Sequence, residues 1–335
     1  MRGAVVGRQL AVFGIAVAAL GCVVVLSLMV GRQSIALVNA VRALLPGAHG
    51  EIADIVRGLR LERTVVGVVV GLALGGAGAL MQALTRNPLA DPGLLGVNAG
   101  AAAVIVTGFT FFGITSGYPQ VWLALAGAAI GSVAVYLLGG GGRAATTPAR
   151  LALAGAALTA VLFAYMNGLA MRDQDTFDEM RFWVVGSVVN RGYDGLVAAL
   201  PFIATGAVVA LLVAPALNAL ALGEDTSRAL GLGVGRTRAL TGVAITLLCG
   251  GATAVAGPIV FIGLTVPHVA RWLVGADQRR AVPLSMVLAA FFLVLCDTLG
   301  RVVSGGAEIQ AGLVAAIFGA PIFIALVRRR MLAAA

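Results

Sequence analysis

Lysine is missing from this sequence: all 23 of its basic residues are arginine. A Walker-type phosphate loop uses a lysine to reach the β- and γ-phosphates of a nucleotide. The chain therefore cannot hydrolyse ATP by that route, and energised work requires another polypeptide. Histidine is almost absent, with only His49 and His268. They are far apart, so no haem or metal constellation emerges. His268 is expected to be a structural hydrogen-bonding group and His49 a surface residue. The three cysteines, Cys22, Cys249 and Cys296, fall singly within apolar runs. Their spacing suits neither a redox motif nor a zinc site, and they read as small packing residues.

Charge is scarce too. Charged residues make up 11% of the chain, against about 25% in an ordinary soluble domain. What is abundant is apolar: 60% of the residues are hydrophobic. They come in long runs almost free of charge, not in amphipathic stripes. A run of about 18 or more reads as a membrane-spanning helix. About ten such runs are present, near 10–30, 64–84, 93–112, 120–138, 150–170, 195–213, 239–257, 259–274, 282–299 and 309–327. The first is long and lacks a clear small-residue cleavage site, so it reads as a retained helix and not a signal peptide. The eighth is interrupted by Pro258 and Pro267, which suits a short broken helix buried among others. The expected fold is an all-α membrane protein, with residues 1–335 forming one transmembrane domain.

The net charge of +9 does not imply nucleic acid. Basic stripes with interleaved aromatics are absent. The arginines sit instead at the ends of apolar runs, where they control topology. With ten spans, fourteen arginines fall on the side of the N-terminus and nine on the other. Arg143 belongs to the first group and Arg32 to the second. Glu51, Asp54, Glu62, Asp173, Asp175, Asp178, Glu179, Asp194 and Glu308 all fall on the second side. The arginine-rich side is therefore predicted to be cytoplasmic, with both termini inside. Two outer segments are long, 31–63 and 171–194. Within the latter, the amphipathic stretch from Phe177 to Val189 is expected to lie as a short helix on the outer surface. The longest inner loop is placed at about 215–238.

Gly67, Gly71 and Gly75 recur every four residues in the second span, followed by Ala79, so one helical face has almost no side chains. Two readings stand: close helix packing, or a smooth surface lining a moving interface. Asp297, near the outer end of the ninth span, is a functional candidate by its depth. Pairing with Arg301 one turn later is the simpler account.

Four longer strings are more specific. The first is Met81-Gln82-Ala83-Leu84-Thr85-Arg86-Asn87-Pro88-Leu89-Ala90-Asp91-Pro92-Gly93-Leu94-Leu95-Gly96, whose two prolines and two glycines dictate a rigid turn. The second runs from Gly257-Pro258 through Pro267-His268 to Arg271, with Gly275-Ala276-Asp277-Gln278-Arg279 after it. The third is Gly223-Glu224-Asp225-Thr226-Ser227-Arg228-Ala229-Leu230-Gly231, and the fourth Phe318-Gly319-Ala320-Pro321-Ile322-Phe323. Together they resemble the permease subunits of ABC importers for iron–siderophore complexes, haem and vitamin B12, the FecCD/BtuC family. The resemblance extends from about residue 60 to 330. Two departures are Gln278, where the family usually has histidine, and Glu62, where it commonly has proline.

The resemblance implies a type II ABC importer permease fold of ten spanning helices in a bacterial cytoplasmic membrane. It implies a second permease subunit, identical or related, two cytoplasmic ATP-binding subunits that hold ATP-Mg, and an extracytoplasmic binding protein. The chain itself then has no catalytic residue, cofactor or metal. Gly223, Glu224, Asp225, Thr226, Ser227, Arg228, Ala229, Leu230 and Gly231 would form the coupling helix seated in the ATPase. Its acids suit a helix N-terminus, with Asp225 as a candidate cap. Arg60, Arg63 and Arg301 would meet glutamates of the binding protein, since a guanidinium grips a carboxylate bidentately. Glu62 would compete for Arg63. Gly67, Gly71, Gly75, Met81, Gln82, Asn87, Pro88, Pro258 and Pro267 are assigned to the translocation path or helix packing. The wide, mostly apolar path is expected between the second-span regions of two subunits, with selectivity left to the binding protein. A ferric siderophore is the expected cargo, and haem or cobalamin the alternative. An ion-coupled secondary transporter needs intramembrane acids or histidines, and only Asp297 comes close. A channel needs no ATPase-docking helix.

Overall fold

The computed structural model describes residues 2–31, 33–114, 117–140, 148–189, 191–303 and 309–334. Arg32, Arg143 and Glu308, used above for orientation, lie outside the described residues. The described residues are helical throughout, with no strands. In chain order the α-helices are α1 (Arg2–Met29), α2 (Leu37–Leu44), α3 (Glu51–Asp54), α4 (Glu62–Thr85), α5 (Val97–Phe112), α6 (Gly117–Leu138), α7 (Pro148–Ala170), α8 (Gln174–Val185), α9 (Gly192–Ala221), α10 (Glu224–Ala229), α11 (Val234–Ala256), α12 (Ile262–Val274), α13 (Gln278–Val303) and α14 (Ala311–Ala334). A π-helical turn, Ile55–Leu61, joins α3 to α4, and a 3-10 turn, Pro92–Leu95, precedes α5.

Each of the ten expected spans falls on a helix. Seven are long and apolar enough to cross a membrane, and α5 and the Ala311–Ala325 part of α14 are shorter apolar helices. The tenth, α12, has only 13 residues. It rises about 20 Å, short of a hydrocarbon core of about 30 Å. It is a half-helix, bounded by Gly257 (φ 72°), which ends α11, and by Phe261 in the left-handed region (φ 68°) at its own start.

The bundle is organised around α4. In its most apolar stretch 78% of the residues are buried. The glycine face is filled by α13: a Cβ at Gly71 would sit 2.5 Å from the Cα of Ala290, and one at Gly75 would overlap the Ser285 carbonyl oxygen. Gly78 meets the backbone of Gly263 in α12 in the same way. The smooth face thus serves close packing within the subunit, and a path directly along it is blocked by α13.

Hydrogen bonds define two poles. At one, the end of α1, the start of α4 and the end of α13 meet: Ser27 Oγ lies 2.7 Å from Thr64 Oγ1, and Arg301 donates to the Ser27 carbonyl at 2.9 Å. At the other, Arg86 after α4 donates to the Leu220 carbonyl at the end of α9, and Asn218 donates to Asp277 before α13. The short helix α10 belongs to this second pole.

Two expectations are corrected. The inner loop placed at about 215–238 is mostly helix: α9 continues through Pro215 to Ala221, and α11 begins at Val234. Proline in a spanning helix forfeits one backbone bond. Here Ala214, Leu217 and Leu220 are buried around it and keep the helix packed. The stretch from Phe177 to Val189 is a surface helix only in part: Phe177, Glu179, Arg181 and Val185 of α8 are exposed, while its far end turns inward. Trp183 and Val188 are buried in the main core, and Ser187 N donates to the Ala256 carbonyl at 2.7 Å. The apolar side of α8 draws the chain into the bundle, against the end of α11. The start of α8 is capped by Asp173, whose Oδ2 accepts from Thr176 N at 2.9 Å and Thr176 Oγ1 at 2.8 Å. The amide bond first, then the hydroxyl bond, hold this carboxyl below the usual carboxylate range. The cap is therefore intact at neutral pH and is lost only as pH falls through that lowered value.

Gly75→Ala is expected to lower stability by about 1–3 kcal/mol through overpacking against α13, read as a lower melting temperature in detergent. Gly67→Ala meets only the Val294 side chain, at 3.2 Å, and should melt close to the parent. Equal melting of both variants would contradict the packing.

Candidate functional site

The Gly223–Gly231 stretch forms α10 and its two caps. Gly223 (φ 114°) is the N-cap, with no side-chain cap bond. Asp225, the candidate cap, instead points its carboxylate into solvent. The helix is tied from below instead. Ser227 Oγ donates to the carbonyls of Gly223 at 2.6 Å and Ala219 at 2.8 Å. At the other end Gly231 (φ 79°) adopts the left-handed conformation. Its N–H donates to the Arg228 carbonyl, and Leu232 N–H to the Ser227 carbonyl, the paired bonds of a Schellman ending. Glu224 is held by Arg238 of α11 and by Arg228 at 3.4 Å. So α10 is anchored through Ser227 and Glu224, while Asp225, Thr226, Arg228, Ala229 and Leu230 are exposed. Leu222 and Leu230 are each 66% exposed. The short helix is thus held from behind, with a charged outer face flanked by two exposed leucines.

The opposite pole contains the three arginines expected to project as free forks. All three are turned inward. Arg60 is 6% exposed and donates to the carbonyls of Leu28 and Met29, both at 2.8 Å, and of Gln33 at 2.5 Å. Arg63 Nε bonds Asp297 Oδ1 at 2.7 Å, with both side chains buried. Arg301 reaches Asp297 Oδ2 at 3.3 Å, Ser27 Oγ at 2.6 Å and the Val30 carbonyl at 3.2 Å. The expected Asp297–Arg301 pairing is present, and Arg63 joins it. Glu62 does not compete for Arg63: its Oε1 accepts from Gly192 N at 2.8 Å. The physical reason for the inward turn is the loose end of α1. Its last carbonyls lack intrahelical donors, and Arg60 and Arg301 supply them.

The 81–96 turn is rigid, as read. Met81 is buried in the core. Gln82 donates to the carbonyls of Gly263 at 3.2 Å and Leu264 at 2.9 Å, and accepts from Arg271. This satisfies carbonyls at the start of the broken helix α12. Asn87 Oδ1 accepts from Leu89 N at 2.9 Å, on either side of Pro88, and Asp91 Oδ1 accepts from Gly93 N at 2.7 Å. Pro267 and His268 are buried inside α12, and Pro258 lies in the break before it. The three cysteines are unpaired, Cys22 exposed and the others buried.

The least covered long helix is α7, with only 11% of its most apolar stretch buried. Asn167 is exposed on it. Asn167 lies in the last turn of this helix. Beside it a cavity of about 500 Å³ is lined by Asn167, Ala170, Met171, Arg172, Asp173, Gln174 and Phe177. Among the described residues no three His, Cys, Asp or Glu side chains form a metal-holding group. Sequence reading missed Asn218, Asp277, Arg238 and Ser27 as structural partners. Ser27 carried a usable signal, a hydroxyl near the end of an otherwise apolar run.

The pattern of the FecCD transport family matches residues 18–329. The chain is 47% identical over 306 residues to the ferric enterobactin transport system permease protein FepD of Escherichia coli (strain K12), covering 91% of each. It is 38% identical over 294 residues to the Fe(3+) dicitrate transport system permease protein FecC of the same organism, covering 87% of this chain and 89% of that one. A solved structure of an inward-facing metal-chelate type ABC transporter is similar at a TM-score of 0.83 and 26% identity, covering 96% of this chain and 99% of that one.

Asp297→Asn removes the buried carboxylate charge that Arg63 and Arg301 share. The expected loss is about 3–5 kcal/mol, read as a large drop in the melting temperature of the detergent-solubilised chain. An unchanged melting temperature would show that the buried ionic cluster does not hold this pole together.

Proposed function

This chain belongs to the FecCD transport family, and on that premise we infer that it is the permease subunit of an ABC importer that carries ferric siderophore complexes across the cytoplasmic membrane. It is a multi-pass membrane subunit. The observation that carries the mechanism is the anchored, uncovered α10 at the pole opposite the arginine cluster.

The finer parts rest on physical fit. Two ATP-binding partners hydrolyse ATP-Mg and seat α10 in a surface groove. The bare Leu222 and Leu230 supply apolar contact there and Arg228 supplies charge. The α10 pole faces the cytoplasm, and both termini lie there. In support, Ala16 of α1 packs with Ala270, Val274, Ala281 and Leu284 at that pole. The start of α14 lies near the opposite pole, with Ile309 beside Gly300. The whole chain acts as one permease domain, paired with a second permease subunit. The path runs along α7 and its cavity, since the glycine face of α4 is occupied by α13. Asn167 and Arg172 wet this route without forming a tight site, so a bulky hydrophilic chelate is not trapped.

The binding protein docks at the arginine pole. Arg60, Arg63 and Arg301 serve it by exchanging acceptors. Arg60 has the most to gain, because its described bonds are all to neutral carbonyls and a glutamate offers a charged acceptor. Against a secondary transporter stands the state of Asp297: it is locked between two arginines and is poorly suited to ion coupling.

The test is uptake of radioactive iron in a permease-deleted bacterium expressing this chain with its ATPase and binding protein. Ferric siderophore should enter, and vanadate should stop it with the proton gradient intact. Uptake of haem or cobalamin alone, or uptake indifferent to vanadate, would overturn the reading. Arg228→Glu with Leu230→Asp should cut uptake by at least about tenfold, as expected for losing interface anchors, and release the ATPase in a pull-down. The fold should be unaffected, since both residues are exposed.

A further inference from the structure

The last turn of α9 is a junction to which three other elements, α4, α10 and α13, are tied. Ala219 offers its carbonyl to Ser227 of α10 at 2.8 Å. Leu220 offers its carbonyl to Arg86, at the end of α4. Between them in space, the Asn218 side chain uses both ends of its amide. Nδ2 donates to Asp277 Oδ1 at 2.6 Å, and Oδ1 accepts from Gln278 N at 2.8 Å. Gln278 is the first residue of α13, and its N–H has no partner within its own helix. Asp277 Oδ1 also accepts from Arg279 N at 3.0 Å. The N-terminus of α13 is therefore capped jointly, by the residue preceding it and by a side chain from a different helix.

This placement has a mechanical consequence. The packing of α13 on α4 leaves no space for a methyl group at Gly71 or Gly75, so the two helices move as one body. On the other side, α10 cannot shift without pulling on Ala219 through Ser227. We propose that Asn218 is a positioning residue for transport: it passes the displacement of α10 into the α4–α13 pair by holding the α13 N-terminus to α9. A further sign that this junction has a second arrangement is Gln278 Oε1, buried and without a hydrogen-bond partner here. Buried acceptors are ordinarily satisfied, and a shift of α9 relative to α13 gives this one a route to a donor. The inference rests on α10 being the ATPase-docking element.

The experiment uses the full importer, with both permease subunits, ATPase and binding protein, in proteoliposomes. It measures iron delivered per ATP hydrolysed and ATPase retained on the permease. Asn218→Asp sets two carboxylates against each other, and Asn218→Leu removes both bonds. Each should lower iron per ATP by about tenfold, the scale of a hydrogen bond to a charged group, while the ATPase stays bound. Asp277→Asn alone keeps its acceptor and should stay near the parent. The pair Asn218→Asp with Asp277→Asn restores a donor facing an acceptor across the two helices, at the expense of the Arg279 N–H bond to Oδ1, and should recover part of the ratio. This exchange keeps side-chain size, so it decides the matter even if Asn218→Leu fails to fold. An unchanged ratio in Asn218→Asp, no recovery in the pair, or loss of the ATPase from these variants would each overturn the proposal. Failure of the underlying reading has a separate signature: Arg228→Glu leaving the ATPase bound and transport intact.

Discussion

The contact between α4 and α13 is the constraint on which the other arrangements depend. In lipid, water does not drive helices together, so they associate by close packing of small residues. Gly71 and Gly75 bring the α4 backbone against Ser285, Ala289 and Ala290. The polar clusters around Asp297, Gln82 and Asn218 hang from the ends of this pair. Arg63 at the start of α4 meets Asp297 near the end of α13. At the far end, Arg86 and Gln82 extend from α4, and the α13 N-terminus is held by Asn218. A wider separation of the two helices would pull these clusters apart.

Charge is accordingly placed at the poles, and the two poles use it differently. At the Asp297 pole, three arginines satisfy carbonyls and one carboxylate inside the fold, so the ends of α1, α4 and α13 form a braced platform. At the α10 pole the charges of Asp225 and Arg228 stay outside, on a helix pinned by Ser227 and Glu224. A braced platform and a presented lever suit a permease that receives cargo at one face and force at the other.

Much of this was legible in the amino-acid order. The spans followed from apolar run length, the 81–96 turn from its prolines and glycines, and the Asp297–Arg301 pair from one-turn spacing. Other features were not legible. The span read as ending near 213 continues through Pro215 to Ala221, because neighbouring helices pack around it. The stretch from Phe177 to Val189 reads as a surface helix, but Trp183 and Val188 find a core to enter. Arg60 reads as an exposed fork, and only the frayed end of α1, some thirty positions earlier, turns it inward.

The sequence by itself determined that the chain spans a membrane, that it has no lysine for a phosphate loop, and which family motifs it carries. These depend on residue type and on spacing within one turn or one helix, both local quantities. The tertiary structure alone decided which polar groups became partners. Asp297 pairs with Arg63 across 234 positions, and Asn218 caps a helix 60 positions away. Whether a buried charge or amide is satisfied depends on which distant segment the packing brings within about 3 Å, and no local pattern encodes that distance.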